Sequence, residues 1–125
     1  MARWSLEVLS TQGRDRDRWR RYLDLLPAEG KDVYYLPEYA ALYEDVYHNP
    51  AFLFAYGDDQ DLVLMVCEQR SVTDLPFCRS ASAPETSRYY DLASPYGYGG
   101  PIIHCRDQMK QAELFATFRH ALHEY

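Results

Sequence analysis

The period of hydrophobic and polar positions changes three times along the chain. The segment "WSLEVL" (Trp4 to Leu9) alternates apolar and polar side chains, which is typical of a half-buried strand. Apolar residues then recur at helical spacing in two segments, and two nearly continuous apolar runs follow, Ala51 to Tyr56 and Leu62 to Cys67. A last helical segment occupies the C-terminal residues. The pattern predicts strand, helix, helix, strand, strand, possible strand, helix.

The two N-terminal helices have different start signals. The first follows the polar "STQG", and we expect Asp15 or Asp17 to cap it. Its apolar positions follow i, i+3, i+4, i+7: Trp19, Tyr22, Leu23 and Leu26. The second begins at Pro37, whose fixed φ suits the first helical position. It carries the strongest amphipathic stripe of the sequence, formed by Tyr39, Leu42, Tyr43, Val46 and Tyr47.

The two apolar runs are separated by the polar "GDDQD". This pattern predicts two adjacent strands joined by a hairpin turn, both central to the sheet. The aspartates of the turn, Asp58, Asp59 and Asp61, lack a calcium-loop pattern, and we interpret them as a solubilising turn.

The C-terminal third is less regular. Residues 71–88 predict a loop that includes at most an edge strand, and Tyr89 to Leu92 and Pro101 to Cys105 are compatible with extended structure. A final helix from about Asp107 is predicted to present one apolar face: Met109, Ala112, Phe115, Phe118, Leu122 and Tyr125. We therefore predict one α/β (α+β) domain over residues 1–125, with a mostly antiparallel sheet flanked by helices.

Composition excludes several classes of function. Hydrophobic residues make up 47% and charged residues 26%, which are values of an ordinary globular chain. The net charge of -6 disfavours nucleic acid and anionic lipid as partners of the whole chain. In the only basic cluster, Gly13 to Arg21, aspartates alternate with arginines, so a solvated helix face is favoured over a phosphate site.

Three further patterns bear on location and chemistry. No run approaches the ~18 apolar residues of a membrane span, and the first ten residues lack the apolar region of a secretory signal. The odd, widely spaced cysteines favour reduced thiols, so we expect a cytoplasmic protein. A metal site is not expected, although His104, Cys105, His120 and His123 contain ligand-type side chains.

The segment "YYDLASPYGYGGPIIH" (Tyr89 to His104) is the candidate ligand-binding part of the chain. Glycine lets a ligand approach the main chain closely, and tyrosine combines flat apolar area with a hydroxyl. The predicted substrate-binding residues are Asp91, Tyr96, Tyr98, Gly99 and Gly100. Two alternatives remain open: the segment is a bulge or wide turn with its tyrosines on the core, and Asp91 caps a turn.

The stretch "YYDLASPYGYGGP", preceded by "LPEYAALYED" and two apolar strands, resembles the N-terminal part of FemAB-like and related GNAT-type acyltransferases. The GNAT fold runs strand, helix, helix, three strands, helix. Members that use acyl-CoA hold its pyrophosphate in a glycine-rich turn before the next helix. Here "PIIHCR" separates Gly100 from that helix. The resemblance therefore implies the first of two tandem GNAT-type halves, which contributes acceptor-side surface.

The resemblance implies transfer of an acyl or aminoacyl group to an amine acceptor. Acyl-CoA or aminoacyl-tRNA is the donor expected for a complete member, and no cofactor is expected in this chain. No catalytic residue can be named. We expect the isolated chain to be inactive and to self-associate, because a missing C-terminal half would leave a sheet edge and part of the last helix uncovered. The alternative is a non-catalytic module whose tyrosine-rich and glycine-rich surface binds a partner protein.

Overall fold

The computed structural model describes residues 4–27, 33–71, 90–94 and 100–125. Within these ranges the chain forms five strands and three α-helices, consistent with the predicted α+β class and order. In chain order they are β1 (Ser5–Leu9), α1 (Gly13–Asp24), a 3₁₀ helix (Val33–Tyr35), α2 (Pro37–Tyr47), β2 (Ala51–Gly57), β3 (Asp61–Ser71), β4 (Tyr90–Ala93), β5 (Ile102–Cys105) and α3 (Gln108–Glu124).

All pairings in the sheet are antiparallel. The strands lie in the order β1-β2-β3-β4, and β5 also pairs with β3. The β2–β3 register runs from Ala51 opposite Glu68 to Gly57 opposite Leu62, which confirms the hairpin predicted from the two apolar runs. Both strands have neighbours on either side, and this central position explains why their sequences are almost continuously apolar.

Helices cover both faces of the sheet. One face packs against α1 and α2, and its buried cluster includes Trp19, Leu23, Ala40, Leu53, Leu62 and Leu64. The other face packs against α3, through a buried cluster of Phe54, Tyr56, Val63, Cys67, Leu114 and Phe118. Successive residues of β2 and β3 therefore contribute to opposite clusters, as the alternation of side chains along a strand requires.

The N-terminus of α1 differs from the prediction. Gln12 occupies the N-cap position without a side-chain cap bond, so the proposed cap by Asp15 or Asp17 is wrong. Asp15 lies in the first turn and its carboxylate instead accepts a hydrogen bond from the backbone N–H of Ser10, at 3.0 Å. It thus ties the helix to the end of β1.

Three of the arginines of α1 have partners outside the helix. Arg18 pairs with Glu7 of β1, and Arg20 pairs with Glu38 of α2. The Arg16 guanidinium donates to the carbonyl of Thr11 at 2.9 Å. The basic cluster is thus largely exposed, as expected of a solvated face, but its charges are directed at neighbouring elements of the fold.

Helix α2 begins at Pro37 as predicted, but its buried face is not the predicted stripe. Pro37 and Ala40 are its buried residues, whereas Leu42 and Val46 are 56% and 58% exposed. At 3.6 residues per turn, Leu42 lies about 200° around the helix from Ala40. The aromatic members of the stripe contact one another: Tyr39 and Tyr43 are tilted with centroids 5.1 Å apart, and Tyr43 stacks on Tyr47 at 5.5 Å.

Helix α3 packs along Leu114 and Phe118, with its N-terminus capped by Asp107. Met109 is 88% exposed, so its assignment to the apolar face is wrong. Nine residues are two and a half helical turns, which places Met109 about 180° away from Phe118. Phe118 is buried and Phe115 and Leu122 are half-buried against the sheet, so this part of the helix is better covered than expected.

The β2–β3 turn is more than a solubilising loop. Asp61 is only 6% exposed and accepts hydrogen bonds from the Cys105 thiol and the Arg106 backbone N–H, at 3.2 Å and 3.4 Å. Asp58 accepts from the backbone N–H groups of Gln60 and Asp61. The turn carboxylates therefore organise the hairpin and join it to the end of β5.

Candidate functional site

The glycine segment connects β4 to β5. Tyr96, Tyr98 and Gly99, three of the predicted substrate-binding residues, lie outside the described residues. Asp91 and Gly100 are described, one on each side of the connection. The site can thus be described from its two ends and from the elements around them.

The connection between β4 and β5 contains more residues than the part of β3 that lies between their pairing sites. β4 pairs with β3 as far as Ala93 opposite Glu68, and β5 resumes on the same edge at Ile102 opposite Leu64. Three residues of β3, 65–67, span this interval, whereas eight residues, 94–101, connect the two short strands. β4 and β5 are therefore separate strands along one edge of β3, and the segment selected by its composition connects them.

Gly100 is anchored to the α1–α2 side of the molecule. Its carbonyl accepts a hydrogen bond from the Tyr35 hydroxyl at 3.2 Å, and its φ of +127° is one that favours glycine. The carbonyl of Tyr35 in turn accepts a hydrogen bond from the indole N–H of Trp19, at 2.8 Å. The buried Trp19 thus positions the 3₁₀ helix, and that helix positions the end of the glycine segment.

Asp91 forms an ion pair rather than a turn cap. It lies opposite Arg70 in the β3–β4 register, and its carboxylate accepts two hydrogen bonds from that guanidinium, at 2.8 Å and 2.5 Å. The hydrogen bond from Arg70, with the attraction of its charge, lowers the pKa of Asp91, although partial burial opposes this. Both side chains are over 40% exposed, so the pair aligns β4 without adding much stability.

Replacing Asp91 by asparagine is expected to lower the free energy of unfolding at pH 7 by at most about 1 kcal/mol. Because the pKa of Asp91 is depressed in the folded state, its contribution is present above the unfolded pKa of about 3.9 and is lost as pH falls through the folded pKa. Urea unfolding between pH 7 and pH 2.5 should show the difference between wild type and Asp91→Asn shrinking below roughly pH 4. The exposed Asp45→Asn on α2 is the matched control, and a pH-independent difference for Asp91→Asn would contradict this account.

Glu68 is a residue of this region that the sequence reasoning missed. It pairs with Ala51 on one side and Ala93 on the other, and by alternation it lies on the α1–α2 face of the sheet. Burial raises the pKa of its carboxyl group, and the charge of Asp91 adds to this; the charge of Arg70 and a hydrogen bond from Asn49 oppose it. Only a β3–β4 register could have placed it beside the glycine segment.

The start of α3 has the wrong charge for a pyrophosphate site. Arg106 and Asp107 alone separate β5 from the helix, and there is no glycine between them. The Asp107 carboxylate accepts a hydrogen bond from the Met109 backbone N–H at 2.9 Å. A side-chain carboxylate therefore occupies the helix end at which a phosphate would otherwise be stabilised by free N–H groups.

The described cysteines are poor candidates for a nucleophile. Burial raises the pKa of the Cys67 thiol to about 12. The pKa of Cys105 is also raised, through desolvation and its contact with Asp61. Since the thiolate is the reactive form, neither residue is prepared for nucleophilic attack at neutral pH.

A shallow cavity of about 200 Å³ lies on the outer surface of α1. It is lined by Arg18, Arg21, Tyr22, Leu25 and Asp59. Arg18 is already paired with Glu7, and Asp59 adds a negative charge at the rim, so the cavity is not a strong anion site.

Across the described ranges, there is no group of three or more potential ligand residues that could hold a metal ion. No helix there has the length and apolar content needed to cross a bilayer. Comparisons with protein-family models, curated proteins and solved structures gave no match for the chain. Functional assignment therefore rests on the residues, the order of elements and the geometry around the glycine segment.

Proposed function

We propose that this chain is the N-terminal, acceptor-side part of a FemAB-type N-acyltransferase with a GNAT-like fold. The observation that carries the proposal is that β4 and β5 are two short strands on one edge of β3, joined by the glycine-rich and tyrosine-rich segment 94–101, in an antiparallel sheet flanked by helices. Glycine main-chain groups offer hydrogen bonds and tyrosine side chains offer flat apolar area with a hydroxyl, and amine acceptors with polar substituents need both.

The start of α3 supports the acceptor-side assignment. In acyl-CoA-dependent relatives of this fold the resemblance implies a pyrophosphate at the helix end, but here the Asp107 carboxylate would repel it. The acyl donor, acyl-CoA or aminoacyl-tRNA, would then be held by a second GNAT-type half. The isolated chain would be inactive.

The chemistry proposed for the complete enzyme is attack of a neutral amine on an acyl thioester or ester. This reaction depends mainly on alignment of the two substrates and on a route for the amine proton. The chain contributes the acceptor surface around Gly100 and Asp91, together with Tyr96, Tyr98 and Gly99 of the same segment.

The test begins with the coding sequence downstream of Tyr125. The proposal predicts an in-frame continuation with a second glycine-rich strand-loop-helix unit. The longer product should transfer a radiolabelled acyl group to an amine from acetyl-CoA or from aminoacyl-tRNA, whereas residues 1–125 alone should not. A stop codon directly after Tyr125, or a longer product that transfers from neither donor, would contradict the proposal.

A non-catalytic interaction module is the second candidate, and the exposed face of α2 favours it. Leu42, Val46 and Tyr47 are each more than half exposed on one helix, and clustered exposed apolar side chains commonly mark protein-binding surfaces. This candidate predicts that Leu42→Ser with Val46→Ser abolishes association with a partner protein and leaves acyl transfer by any longer product unchanged.

A further inference from the structure

The carboxylates that are buried or half-buried in the described residues have hydrogen-bond donors, with one incomplete case. Glu7 accepts hydrogen bonds from Arg18 and Tyr22, and Asp15 accepts from the Ser10 N–H. Glu44 accepts from Thr11 and from the Ala51 N–H. Asp61 accepts from Cys105 and from the Arg106 N–H, and Asp91 accepts from Arg70. In contrast, Oε2 of Glu68 is buried and has no hydrogen-bond partner. A buried carboxylate oxygen without a donor is costly, so its presence requires an explanation.

Glu68 lies where β4 ends and the β4–β5 connection begins. Glu68 is the first residue of β3 that pairs with β4, directly beside the interval 65–67 that pairs with neither β4 nor β5. It lies on the face of the sheet that packs against α1 and α2, the side on which Tyr35 holds Gly100. Its unsatisfied oxygen is therefore at the boundary of the proposed acceptor region.

The surroundings of Glu68 favour a single cationic donor. Arg70 directs two hydrogen bonds at Asp91 and acts on Glu68 through its charge alone. Asn49 provides one neutral hydrogen bond to the carboxyl group. One oxygen remains for one donor, which suits the point charge of an ammonium group better than the two-pronged guanidinium.

We propose that Glu68 Oε2 binds the primary ammonium group of the acceptor. The identity of this ligand as an acceptor rests on the proposed function, but the ammonium site itself follows from the unpaired oxygen and its position. An ammonium group supplies both the missing hydrogen bond and the compensating charge. A metal ion is disfavoured because no group of three potential ligands is present in the described ranges.

The test uses the ¹⁵N-labelled chain and 1,4-diaminobutane as the probe, with 1,4-butanediol at equal ionic strength as the uncharged analogue. We expect saturable shifts of the Glu68 and Asn49 backbone amides with the diamine and none with the diol. Glu68→Gln should weaken the diamine by about tenfold or more, because it replaces a charged acceptor with a neutral amide. Glu113→Gln, an exposed change of equal charge on α3, should bind as the wild type does.

Equal diamine affinity in wild type and Glu68→Gln, or shifts spread over the acidic surface, would overturn the inference. A second measurement needs no variant: a bound ammonium stabilises the carboxylate, so the Glu68 side-chain pKa, followed by its carboxyl ¹³C shift, should fall on saturation. An unmoved pKa would also overturn it.

The outcome is separable from that of the proposed function. Diamine binding at Glu68 without acyl transfer by the longer product would leave the ammonium site standing and remove the enzyme proposal. If the longer product transfers the acyl group and Glu68→Gln leaves the KM for the amine unchanged, the enzyme proposal stands and the ammonium site is removed.

Discussion

Trp19→Ala is expected to lower the free energy of unfolding by about 3–5 kcal/mol. The side chain is completely buried in the α1–α2 cluster, so truncation leaves a cavity among close-packed neighbours. It also leaves the Tyr35 carbonyl without its hydrogen bond from the indole N–H. For a domain of this size such a loss is a large part of the total stability.

The effect should divide into a packing part and a hydrogen-bond part. Trp19→Phe retains much of the apolar volume but removes the donor to Tyr35, so it should cost clearly less than Trp19→Ala. Urea unfolding followed by far-UV circular dichroism measures both. A loss below about 1 kcal/mol for Trp19→Ala would mean that this residue is not the centre of the cluster.

Gly57→Ala is expected to destabilise the β2–β3 hairpin by about 3 kcal/mol or more. Gly57 has a φ of +125°, and a Cβ atom at this position would overlap the Asp61 carbonyl oxygen. That carbonyl accepts the Asp58 backbone N–H at 2.8 Å, so it cannot move away without opening the turn.

Gly13→Ala is the matched control for this substitution. Gly13 also has a positive φ, of +62°, but a Cβ atom there would meet nothing within 4 Å. We expect a cost of about 1–2 kcal/mol for Gly13→Ala, from the left-handed backbone alone. Thermal or urea unfolding of the two variants would contradict the steric argument if their losses were equal.

The two central strands were predictable because strands buried on both faces have nearly continuous apolar sequences. The two apolar runs lie at the centre of the sheet, where both faces are covered, and the polar "GDDQD" between them permits only a short reversal. The start of α2 was predictable because the fixed φ of Pro37 suits the first position of a helix. The cap of α1 was not, because Asp15 finds a better donor in the Ser10 N–H than within its own helix.

The orientation of α2 was not predictable from apolar periodicity. Its inward face carries Glu44, whose carboxylate accepts from the Thr11 hydroxyl and from the Ala51 backbone N–H. A polar residue with two partners can be buried at little cost, and it displaces Leu42 and Val46 to the outer surface. Hydrophobic periodicity does not contain this information, because the partners come from distant parts of the chain.

The candidate site was predictable only in part for the same reason. Glycine and tyrosine content identified the segment that connects β4 to β5, and Asp91 and Gly100 lie on its two sides. The contact between Tyr35 and Gly100 joins residues 65 positions apart, and Glu68 becomes relevant only through the register of β3 with β4. Neither the Tyr35–Gly100 contact nor the position of Glu68 can be recognised from residues that are neighbours in the sequence.

The most direct test of the central claim, an acceptor-side GNAT-like part without an acyl-CoA site of its own, is calorimetric titration of the purified chain with acetyl-CoA. The account predicts no saturable heat at millimolar cofactor, because the Asp107 carboxylate occupies the start of α3. Micromolar affinity for acetyl-CoA would contradict it.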